Sequence, residues 1–337
     1  MTDVHCDRDF ESLVNDRSKK SQLRFFVIGD FGSGDDVQTR VADAMAYVAA
    51  DEPPDFILGT GDSVYPPAAA EGIDAQDLVS LANRFDDYYQ KLGSEFFQCL
   101  GNEDLTAVFG GDPTPMFDHT WKSTTWRMPA AHYSIPKLPP WIAIHIANTN
   151  VFGYEGITAE AFFSETTMAC EIEALTETFA AHPGVRILVG HHPIFTAGKR
   201  TFRYNGDGEL FYMRRLRQAV EDSGVHFYFS GHEHHQSHIT GPHCEHVTQG
   251  CGGARQAPNP KHPRRQDGWR DNEKALCHLE VVAGFAIVEV DTTYQIRMRF
   301  IGVGRGGQGP QAMRVIHEHS WNGLNAIGDA RLQSSGR

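Results

Sequence analysis

A chain of 337 residues, 40% hydrophobic and 22% charged, can bury a large core without disulfides or metal to hold it together. Its 30 Lys and Arg stand against 43 Asp and Glu, and the resulting formal charge of −13 excludes a general binder of nucleic acid or anionic membrane. The N-terminal segment is acidic and polar, no apolar run is long enough for a signal peptide or a membrane span, and no Asn-x-Ser/Thr sequon occurs. An intracellular, cytoplasmic address is expected, although a secreted chain shorn of its leader would read the same.

Residues 1–22 read as a polar lead-in. Apolar, β-rich runs ending in turn residues then recur at Arg24–Asp30, Asp55–Asp62, Glu95–Gly101, Trp141–Asn148, Val185–Gly190, Val225–Gly231, Phe285–Asp291 and Gln295–Gly302. Phe25-Phe26-Val27-Ile28 is apolar throughout, as expected of a strand covered on both faces. Helical faces lie between the runs. They are Val37, Val41, Met45 and Val48; Leu78, Leu81, Phe85 and Tyr88; Met168, Ile172, Leu175 and Phe179; and, more loosely, Leu210, Met213, Leu216 and Val220. The order β-α-β-α-β, with a late antiparallel hairpin turning at Asp291-Thr292-Thr293, points to one α/β domain of sandwich type over residues 23–305. The stretch 251–275 carries Arg255, Lys261, Arg264, Arg265 and Arg270 among Pro and Gly, and reads either as a solvated loop or as a lid or docking element for a protein partner. From 306 to 337 a Gly-rich, irregular tail is expected. Cys6, Cys99, Cys170, Cys244, Cys251 and Cys277 lack CxxC spacing and read as ordinary thiols.

Five short segments close predicted strands with residues able to bind metal: Gly29-Asp30, Gly61-Asp62-Ser63-Val64-Tyr65, Gly101-Asn102-Glu103-Asp104, Gly190-His191-His192 and Gly231-His232-Glu233-His234. In open α/β sheets ligands collect beyond the carboxyl ends of strands, so loops far apart in sequence can converge there. A lone Gly-Asp or Gly-His is weak, but five in order, with Asp30, Asp62, Tyr65, Asn102, His191, His232 and His234 among them, offer enough donors for two neighbouring ions. Phenolate and carboxylate are hard donors suited to a trivalent ion, and imidazole and amide suit a divalent one. Ser63 is then a loop residue, since hydrolysis between two metals needs no nucleophilic side chain.

This ordered set resembles the calcineurin-like metallophosphoesterases, and Tyr65 in Gly-Asp-x-x-Tyr is similar to the purple acid phosphatases, the small tartrate-resistant type above all. The resemblance covers about residues 22–305 and includes Trp126-Arg-Met-Pro129, Tyr133 and the turn Gly250-Cys-Gly-Gly-Ala254. It implies a four-layer α/β/β/α sandwich with two mixed sheets. It also implies Fe(III) held by Asp30, Asp62, Tyr65 and His234, and a second ion of Fe, Zn or Mn held by Asp62, Asn102, His191 and His232, with Asp62 bridging. His191 is preferred to His192 as the ligand because Gly-His-His-Pro resembles the family's Gly-His-x-Pro, while literal Val-x-x-His spacing would favour His192. His192 could line the pocket or simply satisfy a loop. His238, His243 and His246 read as surface or ligand-supporting groups.

The chain departs from the family beside Asn102, where Gly-Asn-His-Asp or Gly-Asn-His-Glu is replaced by Gly101-Asn102-Glu103-Asp104. The resemblance gives the missing His the roles of bonding phosphate and protonating the leaving oxygen, with Asp104 orienting it. An ionised Glu103 would repel a phosphate dianion, and a neutral one would need burial to stay so. Losing such a general acid costs about 10²–10⁴ in rate. A second substrate-contacting His of the family falls where this chain has Lys199-Arg200, which could grip phosphate, pair with Glu103 or face solvent. The expected function is a binuclear phosphatase acting on phosphomonoesters, of a small molecule or a phosphoprotein. The alternative is a catalytically weak metal-holding scaffold, a pseudophosphatase, that docks protein partners.

Overall fold

Phe25, Phe26, Val27 and Ile28 are fully buried, as a strand covered on both faces requires, and they form the body of β1 (Gln22–Ile28). The computed structural model describes residues 9–65, 85–105, 112–152, 165–180, 182–196, 198, 213–241, 243–254, 275–304 and 312–322. One seven-stranded sheet runs in the order β14 (Met313–Asn322), β13 (Gln295–Val303), β12 (Gly284–Asp291), β1, β2 (Phe56–Gly59), β3 (Glu95–Gln98) and β4 (Trp126–Arg127). The other runs β11 (Ala275–Glu280), β9 (Gln236–Thr240), β10 (Glu245–Gln249), β8 (Phe227–Ser230), β7 (Val185–Val189), β6 (Ile142–Ile146) and β5 (Tyr133–Ser134). Both sheets are mixed. Strands β1 to β4 pair in parallel, as do β6, β7, β8 and β10, while β12, β13 and β14 add antiparallel edges to the first sheet.

The sheets face one another across aromatic side chains. Phe25 of β1 meets Phe229 of β8 edge-to-face with centroids 6.4 Å apart, and burying rings of this size contributes about 1.5–3 kcal/mol each. Outside the first sheet lies α1 (Asp36–Asp51), whose N-terminus is capped by the Asp35 carboxylate accepting from the Val37 and Gln38 amides. It buries Val41 and Met45 and ends before Pro53 and Pro54, which cannot continue a helix. The short α2 (Thr114–His119) buries Met116. Outside the second sheet, Leu175 and Phe179 of α3 (Glu165–Phe179) cluster with Leu216 and Val220 of α4 (Arg214–Asp222) and with Leu188 and Tyr228 of the strands beneath. The result is a four-layer α/β/β/α sandwich. Among the described residues no helix is long and apolar enough to cross a membrane.

Every run marked in the sequence forms a strand, and the hairpin turns where expected, with Asp291 Oδ1 accepting from the Thr293 amide at 2.8 Å. Leu78, Leu81 and Leu210 lie outside the described residues. The tail expected from 306 is not irregular throughout, because residues 313–322 form β14, paired with β13 along its length. Over residues 9–21 the polar lead-in docks on the domain: Phe10 packs on Tyr133, and Arg17 is buried against Glu95 at 2.6 Å.

Candidate metal centre

The parallel strands end together at one side of the sandwich, and the ligand candidates stand in the loops beyond them. Asp30, Asp62 and Asn102 follow β1, β2 and β3 of the first sheet, and His191, His232 and His234 follow β7 and β8 of the second. Backbone bonds lock neighbouring loops: the Asp30 amide donates to Gly61 O at 2.9 Å, and the Gly231 amide to His191 O at 2.9 Å. Glycines allow the crowding. A Cβ on Gly61 (φ 89°) would lie 2.5 Å from His191 Nδ1, and one on Gly101 would overlap the backbone and carboxylate of Asp62. Asp30, Asp62 and His232 themselves adopt φ of 53°, 51° and 68°, a left-handed backbone that costs of order 1 kcal/mol or more at each non-glycine position.

Side-chain atoms then converge in two sets. Tyr65 Oη lies 3.2 Å from Asp30 Oδ1, 3.1 Å from Asp62 Oδ2 and 3.3 Å from His234 Nε2. His191 Nε2 lies 3.0 Å from Asn102 Oδ1, 3.1 Å from His232 Nδ1 and 3.4 Å from Asp62 Oδ2. Asp62 Oδ2 belongs to both sets. The remaining atoms of these side chains are held by the protein. Asp30 Oδ2 accepts from the His232 amide at 2.8 Å, and Asp62 Oδ1 from the Glu103 amide at 2.9 Å. His191 Nδ1 is 2.8 Å from Thr60 O, which can only accept, so Nδ1 carries a proton and Nε2 faces the cluster.

The electrostatics fit a bound cation. Asp30 and Asp62 are buried, and among the described residues their ion-pair partners are imidazoles, with no Lys or Arg. Burial raises the pKa of Asp30. Burial also acts to raise that of Asp62, but His191 outweighs it and holds the carboxyl low. Burial pulls His191 down, and Asp62 overcomes it to lift the imidazole to about 9. Burial, then Asp30 and Asp62, push the Tyr65 phenol far above its ordinary range. A phenol has one proton and cannot serve both carboxylates beside it, whereas a metal ion satisfies all these donors at once.

The remaining sequence candidates separate. Glu103 is half-buried beside the cluster, its Oε1 accepting from Asn102 Nδ2 at 3.1 Å, and burial, then Asp62, raise its pKa. Asp104 lies behind the ligand loops. It is fully buried and receives the amides of Ser63 at 2.8 Å, Val64 at 3.1 Å and Gly101 at 2.9 Å, stapling two ligand loops together. His192 is buried beside His232, ring centroids 4.5 Å apart, with Nδ1 2.9 Å from Thr149 Oγ1. Lys199 and Arg200 lie outside the described residues, as do residues 255–274 of the basic loop. His243 is exposed, whereas His238 and His246 are buried in strands rather than on the surface. Sequence reasoning passed over Thr149, whose hydroxyl accepts the amides of His191 at 3.1 Å and His192 at 3.0 Å, and over Thr60. The signal for Thr149 was its place after a strand, in Asn148-Thr149-Asn150.

Residues 2–236 match the family profile of the calcineurin-like phosphoesterases. The chain belongs to that family. These metallophosphoesterases use a dimetal centre, and in this chain Asp30, Asp62 and His191, and likewise His191, His192 and His232, place ligand atoms within 4.8 Å of one another. A comparison with curated proteins returns no match. Among solved structures, GAP50, the anchor in the inner membrane complex of Plasmodium, aligns with a TM-score of 0.64 at 19% identity, over 92% of this chain and 94% of that one. The purple acid phosphatase PPD1 of yellow lupin (Lupinus luteus) aligns with a TM-score of 0.63 at 13% identity, over 90% of this chain and 54% of the plant chain. A dimetal phosphatase from Danio rerio aligns with a TM-score of 0.54 at 12% identity, over 88% and 98%. At such identities the likeness is one of fold.

Proposed function

We propose that this phosphoesterase is a binuclear phosphatase of the acid-phosphatase kind, hydrolysing phosphomonoesters of a small molecule or a phosphoprotein. The observation that carries the reading is the double engagement of Asp62 Oδ2, 3.1 Å from Tyr65 Oη and 3.4 Å from His191 Nε2. Asp30, Asp62, Tyr65 and His234 would hold Fe(III), since carboxylate and phenolate oxygens suit a hard trivalent ion. Asp62, Asn102, His191 and His232 would hold Fe, Zn or Mn. When bound, such a pair would neutralise phosphate charge and lower the pKa of a bound water. The chain's own residues orient the donors: Thr60 O fixes the His191 tautomer, and the His232 and Glu103 amides aim the two carboxylates.

Glu103 supports a second reading. As an acid held neutral by partial burial, it donates a proton to the leaving oxygen; as a carboxylate it repels the substrate and leaves a metal-holding scaffold that docks partners. Hydrolysis of p-nitrophenyl phosphate by iron-loaded protein, followed from about pH 4 to 8 beside Glu103→His, decides between them. Ordinary turnover by the parent, lost by about 10² or more in Glu103→Ala, supports the enzyme. A near-inert parent rescued by Glu103→His supports the scaffold. A violet colour that disappears in Tyr65→Phe tests the iron assignment separately, and a colourless iron-loaded parent removes it.

A further inference from the structure

A second group of imidazoles stands apart from the dimetal centre. His238 of β9 is fully buried, His317 and His319 of β14 are partly buried, and each offers a ring nitrogen within 4.8 Å of the other two. The topology explains the meeting. His317 and His319 are two residues apart on an extended strand and so share a face. That strand is the outermost of the first sheet, and β9 lies next to the edge of the second, so the cluster spans the seam between the sheets.

His238 Nδ1 is 3.1 Å from His317 Nε2, close to the separation of about 3.3 Å between two ligands of a tetrahedral ion with metal–nitrogen bonds of about 2.0–2.1 Å. On its far side His238 Nε2 is 2.8 Å from Glu245 Oε2. A carboxylate behind an imidazole holds a proton on Nε2 and leaves Nδ1 facing the cluster, the arrangement that supports a metal-binding histidine. His278 of β11 stacks on His317 with centroids 4.7 Å apart, and its buried Nε2 has no hydrogen-bond partner among the described residues. An imidazole set of this kind suits zinc, copper or nickel and offers little to calcium or magnesium.

We propose that His238, His317 and His319 bind one zinc-like divalent ion, separate from the dimetal centre, and that the ion clasps β14 of the first sheet onto the second. Three protein ligands leave the fourth position for water or for His278 after a ring rotation. The clasp needs no contribution from Asp62 or the other residues of the dimetal centre.

The test strips the full chain with chelator, re-equilibrates it with zinc alone and measures bound zinc by mass spectrometry, alongside hydrogen exchange of the β14 amides. His317→Gln and His319→Gln are each expected to bind one zinc fewer than the parent, or to bind it at least tenfold more weakly. Asp62→Asn is expected to keep that ion. Zinc should slow exchange over Met313–Asn322 in the parent and in Asp62→Asn, and leave it unchanged in His319→Gln. A parent that takes up no more zinc than His319→Gln, or β14 amides indifferent to zinc in Asp62→Asn, overturns the proposal. Should Asp62→Asn fail to fold by circular dichroism, His234→Gln replaces it with the same two outcomes.

Discussion

At the scale of single residues, the centre depends on buried side chains that hold its loops together. Asp104 is the clearest case, since its two oxygens receive the amides of Ser63, Val64 and Gly101 from loops that carry Asp62, Tyr65 and Asn102. Asp104→Ala leaves three buried amides without an acceptor. It should lower stability by about 2–4 kcal/mol in urea unfolding and weaken metal retention on dialysis. Loss of activity with metal content and stability intact would instead place Asp104 in the chemistry. The metal-binding candidates were legible in the sequence because each closes an apolar run after glycine, a local pattern. The roles of Asp104 and Thr149 were not, because their partners lie 41 and 42 residues away for the bonds to Ser63 and His191, and no spacing rule reaches across that gap.

At the scale of elements, the central strands were legible and the edges were not. Strands β1, β7 and β8 are covered on both faces and so read as continuous apolar runs. Strand β14 has exposed residues along much of its length, including Val315, and β9 is polar although buried, so neither has an apolar signature. The interior strands also bury titratable groups. His226 Nδ1 accepts the Arg186 amide of β7 at 3.0 Å, and burial followed by Arg186 lowers its pKa to about 4. Burial lowers His145 of β6 to about 3. Both folded values lie below the unfolded value of about 6.5, so below that pH the unfolded chain binds protons that the folded chain refuses. Stability should therefore fall as pH drops from about 6.5 toward 4, with about 2 kcal/mol lost per histidine by pH 5. Urea unfolding at pH 7 and pH 5 checks this, and His226→Gln should show about half the loss. An unchanged stability at pH 5 would remove the assignment of both as buried neutral groups.

At the scale of the whole molecule, the N-terminal segment, β3 and β4 are joined by one buried charge group. Glu95 Oε2 is 2.6 Å from Arg17, Glu95 Oε1 is 3.2 Å from Arg127, and all three residues are buried. Removing the shared partner strands two guanidinium groups. Glu95→Ala should cost about 3–5 kcal/mol, against about 0–1 for Arg297→Ala on the surface pair with Glu318, both read by thermal or urea unfolding. Comparable losses from the two variants would mean that water reaches the buried group.

The left-handed backbones of Asp30, Asp62 and His232 bear on the order in which the molecule is assembled. An unfolded chain avoids these conformations, and the groups that hold Asp30, Asp62 and His191 in place (the His232 and Glu103 amides and Thr60 O) lie in loops just beyond the strand ends. The bonds between loops therefore carry the conformational cost, and the three turns form only once the strands that bring those loops together have paired.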